Sequence, residues 1–481
     1  MRTFARLNVG LPLALAACSA GTPPAQVAGP GASTVPGSPG APMVAAATGE
    51  ERPEASQWLG VAGESAAMMP GSHETFLGVW VDVPDRAAAH APVATSVVID
   101  TSGSMAGDKI VNARASAKRF IDGLKDGDIA SLVSFDDAAR QLVPPTRLDA
   151  TSRVRFGGAV SELRADGATN LFEGIRMGGM NLMDAPSTHA VRRIVLVSDG
   201  IATAGPTSRE ILGALADKAS LHGVQVTAVG VGLDYDEGTL NDIAMRSSGR
   251  LYHVGNSTQL ATMLEQEMKL LRGTRAANAF VDVMPGAGVT LTGVDGTRTQ
   301  TREGGGLRIP IGALFAGQRR EFLVRARVDA PNEGSHAIAS VRLHFSDPAD
   351  GNLERVQEAV ARYDVTTDQT RFANLKDERV QGIWSLAEAS RATQRAADQI
   401  EGDRFDDAER DLAKVEKQLQ VQAAASKDAK TRVRIEDNAR MVGQARASAG
   451  GAAKAPAAAK PAAKRAAKLE ANDAYMDSAG Y

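Results

Sequence analysis

The sequence of 481 residues contains a single cysteine, which excludes a disulfide within the chain and any cysteine-rich zinc or iron–sulfur site. Aromatic residues make up only 4%, which argues against a carbohydrate or single-strand binding site built on stacking side chains. Lys and Arg number 54 and Asp and Glu 57, so the chain lacks the positive excess of proteins that coat nucleic acid. It also lacks an uninterrupted apolar run of about eighteen residues, and no transmembrane helix is expected.

Motifs of the common enzyme sites are also missing. The sequence has no Gly-x-x-x-x-Gly-Lys-Ser/Thr loop, which excludes a P-loop nucleotide site. His73-Glu74 begins like a zinc-protease motif, but the second histidine of that motif is absent. Metal-assisted hydrolysis would need a general base beside the ion, and no residue stands out for that role. We therefore predict that the protein is not an enzyme, with a metal-dependent hydrolase as the weakest alternative.

Residues 1–18 have the pattern of a secretory signal. Arg2 and Arg6 precede a short apolar stretch that ends Leu15-Ala16-Ala17-Cys18. These last four residues resemble the lipobox of bacterial lipoproteins, which implies that Cys18 receives a diacylglyceryl group and becomes the new N-terminus. The alternative is an alanine-rich N-terminus with a chance cysteine. In such lipoproteins an Asp at the next position commonly signals inner-membrane retention, so Ser19 favours the outer membrane.

Residues 19–55 have the composition of a linker. Between Ser19 and Thr48, 25 of the 30 residues are Ala, Gly, Pro, Ser or Thr, and none is charged. Such a segment cannot bury enough apolar surface to offset the chain entropy lost on folding. We expect a flexible tether between the lipid anchor and the folded part of the chain.

Residues 93–272 alternate between strand and helix patterns. The β-branched, apolar run Thr95–Ile99 is typical of a buried parallel strand. Further strands are predicted at 129–135, 193–198, 224–231 and 249–254, and helices at 109–124, 154–163, 171–182, 209–221, 237–245 and 260–271. This order predicts an α/β, Rossmann-like fold in which helices cover both faces of a mostly parallel sheet.

Three short motifs lie at or after strand ends in this region. They are Asp100-x-Ser102-x-Ser104, Gly167-Ala168-Thr169-Asn170 and Ser198-Asp199-Gly200. In order and spacing they resemble the metal-ion-dependent adhesion site of von Willebrand factor type A (VWA) domains, and the resemblance extends from about Thr95 to Leu271. The residue before the second aspartate is usually Thr in that family. Here it is Ser198, which keeps a small hydroxyl side chain.

The motif residues predict a site for a hard cation at the carboxyl edge of the sheet, where open α/β folds bind ligands. Hydroxyl and carboxylate oxygens favour Mg²⁺ or Mn²⁺, and Ca²⁺ is also compatible with them. The family resemblance implies that the aspartates act directly or through water and that an open position takes an Asp or Glu from a partner. Two alternatives stay open, a turn or helix cap formed by the first motif alone and a metal site with only a structural role. The predicted ligands are Asp100, Ser102, Ser104, Thr169 and Asp199.

Short strand patterns flank the α/β region. Residues 275–365 carry them at 279–283, 289–292, 307–310, 321–327 and 337–345, which predict a small β-sandwich. The stretch Ile309–Arg320 resembles the β-module that follows the VWA domain in bacterial proteins similar to calcium-activated chloride-channel proteins. No channel is implied by that resemblance. The upstream strand at 76–84 is expected to join this module and make it discontinuous.

The C-terminal region is predicted to be helical over residues 368–447. Apolar residues spaced by three and four over Phe405–Leu419, after a break at Gly402-Asp403, predict a helical hairpin packed on the β-module. Residues 449–481 are rich in Ala and Lys and are predicted to be a disordered tail. The alternative is a basic segment that attracts an anionic polymer or lipid head group.

Together these patterns predict a lipid-anchored protein of the bacterial cell envelope, on the outer membrane rather than the inner. It would bind a divalent cation and use it to capture an acidic side chain of an envelope or extracellular protein, in adhesion or scaffolding. No nucleic-acid partner is expected. The alternative is an accessory or regulatory subunit of an envelope transporter or channel, with a structural metal site and contacts spread over the β-module and helices.

Overall fold

The computed structural model describes residues 57–85, 91–232, 235–330, 332–368 and 376–478. The predicted signal sequence, Cys18 and the 19–55 linker lie outside the described residues, as do positions 369–375 of the predicted helical region. None of the helices in the described part of the chain combines the length and hydropathy that a membrane span requires.

The elements follow one another in four groups. The described chain opens with β1 (Leu59–Gly63), β2 (Ala67–Met68) and β3 (Gly71–Asp82). The α/β region comprises β4 (Val93–Asp100), α1 (Asp108–Gly123), β5 (Ile129–Phe135), β6 (Ala139–Arg147), α2 (Ala150–Ser161), α3 (Leu171–Met183), β7 (Val191–Ser198), α4 (Arg209–Leu221), β8 (Val224–Val231), α5 (Glu237–Arg246), β9 (Arg250–Val254) and α6 (Leu260–Arg272). A second group of strands comprises β10 (Thr274–Pro285), β11 (Val289–Val294), β12 (Gln300–Thr301), β13 (Leu307–Phe315), β14 (Arg319–Ala330), β15 (Gly334–Asp347) and β16 (Leu353–Val365). The last group comprises α7 (Glu378–Glu401), α8 (Phe405–Ala425), α9 (Ala429–Lys454) and α10 (Lys460–Ser478).

The α/β region forms one sheet in the order β6-β5-β4-β7-β8-β9, and the predicted fold class is confirmed. All strand pairs are parallel except β5 with β6. Every residue of β4, β5 and β8 is buried, because α1, α2 and α6 pack on one face and α3, α4 and α5 on the other. The antiparallel edge strand β6 is absent from the predicted strands. It carries Pro144-Pro145, which an edge strand tolerates.

The flanking strands form a two-sheet module. One sheet has the order β1-β3-β14-β11 and the other β12-β13-β10-β15-β16-β2. β3 pairs with β14 in an unbroken antiparallel register from Gly71 opposite Ala330 to Asp82 opposite Arg319. The module is therefore discontinuous, with the α/β region inserted between β3 and β10. It is also larger than the predicted small sandwich, because β1, β2, β12 and β16 add to the strands expected from the sequence.

The C-terminal region corrects two predictions. It is a group of four helices rather than a hairpin, and the segment predicted to be a disordered tail contributes the end of α9 and all of α10 as far as Ser478. Alanine is the strongest helix former, and its small side chain lets helices approach closely. Ala467, Ala471 and Ala474 of α10 are completely buried in the helical core. Of the basic residues in this segment, Lys468 pairs with Glu401 of α7 at 2.9 Å.

Candidate metal centre

The strand order brings the predicted ligands to one edge of the sheet. β4 and β7 are parallel neighbours, so their last residues, Asp100 and Ser198, end at the same carboxyl edge and Asp199 follows directly. After Asp100 the chain forms a short 3₁₀ turn, Gly103–Met105, that carries Ser104. Thr169 lies in the loop before α3. We call Asp100, Ser102, Ser104, Thr169 and Asp199 the candidate metal centre.

Hydrogen bonds join four of the five residues in a continuous chain. The backbone N–H of Ser102 donates to Asp100 Oδ1 at 2.8 Å. The hydroxyls of Ser102 and Ser104 lie 3.1 Å apart. Ser104 Oγ donates to Asp199 Oδ1 at 2.8 Å. The candidate ligand oxygens of the first and third motifs therefore face a common point, as the spacing predicts.

Thr169 approaches the same point across Gly200. A Cβ at position 200 would lie 3.3 Å from Thr169 Oγ1 and 3.5 Å from Ser104 Oγ, so both hydroxyls border this glycine. The Thr169 loop is fixed by its backbone, since Thr203 N donates to Thr169 O and Thr169 N donates to Thr203 Oγ1, each at 3.0 Å. The loop is also tied to the first motif, because Gly103 N donates to Gly167 O at 3.0 Å.

Asp100 is one of the two buried carboxylates of the centre. Burial raises the pKa of Asp100, and the nearby charge of Asp199 acts in the same direction. Hydrogen bonds from Ser102 and from Ser198, whose Oγ donates to Asp100 Oδ2 at 2.6 Å, oppose that rise. Ser198 thus holds the carboxylate at the end of the neighbouring strand, a contact that its likeness to the usual threonine does not by itself reveal.

Lys109 is a part of this centre that the sequence reasoning missed. Its Nζ forms an ion pair with Asp199 Oδ2. The available signal was its position in the first turn of α1, next to Asp108. A helix N-terminus carries a partial positive charge and disfavours a cation there, so a lysine at that position suggests an anionic partner elsewhere in the fold.

The donor set of the centre suits a hard divalent cation. It offers carboxylate and hydroxyl oxygens and no sulfur or imidazole nitrogen, which matches Mg²⁺ or Mn²⁺ chemistry. Among the described residues, no group of three or more His, Cys, Asp or Glu side chains is arranged to hold a metal, so a site here depends on its serine and threonine hydroxyls. The ammonium of Lys109 against Asp199 shows that the centre accommodates positive charge.

The surface beside the centre combines an apolar residue with the C-terminal helix. Ile201, two residues beyond Asp199, is 57% exposed. It borders a cleft of about 420 Å³ that continues between the start of α5 and α10. Asn472 of α10 donates to Glu237 at the start of α5, so the last helix is held close to the carboxyl edge of the sheet.

Comparisons with known proteins agree with this architecture. The family model of the von Willebrand factor type A domain matches residues 96–266. An uncharacterized protein from Synechocystis sp. is 26% identical over 330 residues, which cover 65% of this chain and 75% of that protein.

Two solved structures resemble most of the chain. A von Willebrand factor type A protein from Catenulispora acidiphila has a TM-score of 0.64 at 20% identity, over 81% of this chain and 90% of that one. The ArnB paralog VWA2 from Sulfolobus acidocaldarius has a TM-score of 0.59 at 18% identity, over 87% and 97%. At these identities the likeness shows the fold alone, and it extends beyond the α/β region into the flanking modules.

Proposed function

The chain carries a VWA domain at residues 96–266, and we propose that this domain binds a divalent cation, Mg²⁺ or Mn²⁺, at the candidate metal centre. The bound cation holds an Asp or Glu side chain of a protein partner. The observation that carries the proposal is the convergence of hydroxyl and carboxylate oxygens from three separate loops at one point of the sheet edge.

The composition of the centre explains why a partner carboxylate would bind. Three of the five ligands are neutral hydroxyls, so the protein supplies little negative charge to a divalent cation. Asp100 is also engaged by Ser102 and Ser198. A cation in such a shell keeps strong attraction for an outside anion, which an acidic side chain satisfies. Ile201 beside the centre offers an apolar contact to the rest of the partner.

Direct metal binding provides the first test. We expect wild-type protein to bind Mn²⁺ in isothermal titration calorimetry and Asp199→Asn to lose most of that affinity. Asp126→Asn is the matched control, because Asp126 is an exposed carboxylate in the turn before β5, at the opposite edge of the sheet. Equal Mn²⁺ affinity of Asp199→Asn and wild type would reject the proposed site.

The partner is tested by capture from solubilised bacterial envelopes. Tagged full-length protein is incubated with Mg²⁺, with a chelator, and as Asp199→Asn with Mg²⁺. A protein retained only by the wild type with Mg²⁺ supports the metal-bridged contact. A protein retained in all three conditions supports the alternative of an accessory subunit that uses the β-module and helices. We assign no catalytic role to the centre.

We further propose that Cys18 is lipidated and that this lipid anchors the protein in the outer membrane of the bacterial envelope. The support is the lipobox-like sequence ahead of the only cysteine, followed by Ser19. Cys18→Ala should move the protein from the membrane to the soluble fraction, and Ser19→Asp should shift it to the inner membrane. A Cys18→Ala variant that still sediments with membranes would contradict the anchor.

A further inference from the structure

Both oxygens of the Asp199 carboxylate are engaged by this chain itself. Oδ1 accepts a hydrogen bond from Ser104 Oγ at 2.8 Å, and Oδ2 forms the ion pair with Lys109 Nζ. The Asp199 side chain has no exposed surface, whereas the Lys109 side chain is 34% exposed. The carboxylate is therefore fixed in place, while the ammonium has a route to solvent.

The local structure of α1 does not explain the position of Lys109. It lies in the first turn of α1, where the helix dipole disfavours a cation. A Cβ at Gly232 would lie 3.6 Å from Lys109 Nζ, and the backbone of Gly232 has φ +91°, a conformation that glycine adopts readily. Gly232, just after β8, thus lies at van der Waals distance from the ammonium that pairs with Asp199. The attraction of this carboxylate is what holds Lys109 there.

We infer that Lys109 is a built-in cation that competes with the divalent ion for Asp199 and lowers the affinity of the centre. The inference rests on the proposed function, because it concerns the same site. A buried carboxylate without a counter-ion is strongly destabilising, so the ammonium stabilises the ion-free domain. Ion binding then becomes an exchange in which Lys109 swings towards solvent. The exchange makes the free energy of ion binding less favourable. The candidate metal centre is therefore occupied only at higher ion concentrations.

The variant Lys109→Met tests the competition, since Met keeps an unbranched side chain of similar length without the charge. We expect Lys109→Met to bind Mn²⁺ on the order of ten-fold more tightly than wild type, a typical size for coupling between two sites. In EDTA the same variant should have a lower Tm, because Asp199 loses its counter-ion. Lys109→Arg keeps the charge and should not gain affinity.

Lys118→Met is the control on the same helix. Lys118 is exposed and pairs with Asp122 at 2.6 Å, away from the centre, so both its Mn²⁺ affinity and its Tm in EDTA should match wild type. Equal, measurable Mn²⁺ affinities of wild type and Lys109→Met would overturn the competition and leave the proposed function standing. Weaker binding by Lys109→Met would also overturn it, and would make Lys109 a residue that orients Asp199. Absence of Mn²⁺ binding in every variant would overturn both proposals.

Discussion

Two buried carboxylates of the α/β region each face a cation, but only one pair is open to solvent. Glu267 of α6 and Arg193 of β7 lie 3.2 Å apart, and 1% of each side chain is exposed. Asp199 is buried to the same degree, but its partner Lys109 is 34% exposed. The core pair has no solvent route by which either group could exchange its partner. The pair at the sheet edge has such a route, so the same type of charge pairing is structural in one place and available for ligand exchange in the other.

The substitution Glu267→Gln breaks the core pair and has the largest expected effect. Thr227 Oγ1 donates to Glu267 at 2.8 Å and Tyr252 OH at 3.2 Å, so the carboxylate is the acceptor of a buried network. Burial lowers the pKa of Arg193, and the charge of Glu267 opposes that shift. Gln leaves the guanidinium buried without a counter-ion. We expect the free energy of unfolding, measured by urea titration, to fall by about 3–5 kcal/mol.

The control for this prediction is Glu265→Gln on the same helix. Glu265 pairs with Arg119 at 2.8 Å, but both side chains are more than half exposed. Surface pairs of this kind contribute less than about 1 kcal/mol. If the two variants lost the same small amount of stability, the core pair would not be structural and the contrast with the sheet edge would disappear.

The same carboxylate-to-amide change at Asp199 should have a much smaller effect on stability. Asn keeps an oxygen that accepts from Ser104, and Lys109 can move its ammonium into solvent. We expect the free energy of unfolding without metal to change by only about 1 kcal/mol, as for a partly exposed pair. In contrast, the rise in Tm that Mn²⁺ causes in wild type should vanish. A loss as large as that of Glu267→Gln would show that the Asp199 pair is structural as well.

The sequence predicts the central strands and the centre well because their signals are local. β4, β5 and β8 are rich in β-branched and apolar residues, the pattern of strands that are buried on both faces. Four of the five ligands lie at the end of β4 or β7 or within a few residues of it, so finding these strands also locates those ligands, whereas Thr169 lies in the loop between α2 and α3. The resemblance to VWA domains then links three motifs that lie far apart along the chain.

The features missed in the sequence depend on tertiary contacts. β6 exposes most of its residues and is a strand only because it pairs with β5. α10 has an alanine-rich sequence without a bulky apolar stripe, and its burial comes from close packing on α7 and α9. The position of Lys109 in the first turn of α1 suggests an anionic partner, but only the fold shows that this partner is Asp199, 90 residues away. None of these partners can be read from the residues of the element itself.

The smallest expected effect on metal binding is at Gly200, which tests how closely the open site is packed. An alanine Cβ at this position would lie 3.3 Å from Thr169 Oγ1 and 3.5 Å from Ser104 Oγ. The Thr169 hydroxyl must shift by a few tenths of an ångström to accept it, whereas the Ser104 hydroxyl lies at an ordinary van der Waals distance. We expect Gly200→Ala to weaken Mn²⁺ binding by roughly three- to ten-fold, about 0.6–1.4 kcal/mol, in isothermal titration calorimetry.

Gly158→Ala is the matched control, because nothing lies within 4 Å of the Cβ it would add to the interior of α2. It should leave the Mn²⁺ affinity unchanged and stabilise the protein by about 0.5–1 kcal/mol, as alanine does in a helix. If Gly200→Ala also left the affinity unchanged, Thr169 would not be a ligand. The site would then rest on the two aspartates, Ser102 and Ser104, which come from two of the three loops. If only Gly200→Ala lowered the Mn²⁺ affinity, the site at the sheet edge would be as tightly packed around its ligands as the core pair is around Arg193. It would be so even though this site can exchange its cation.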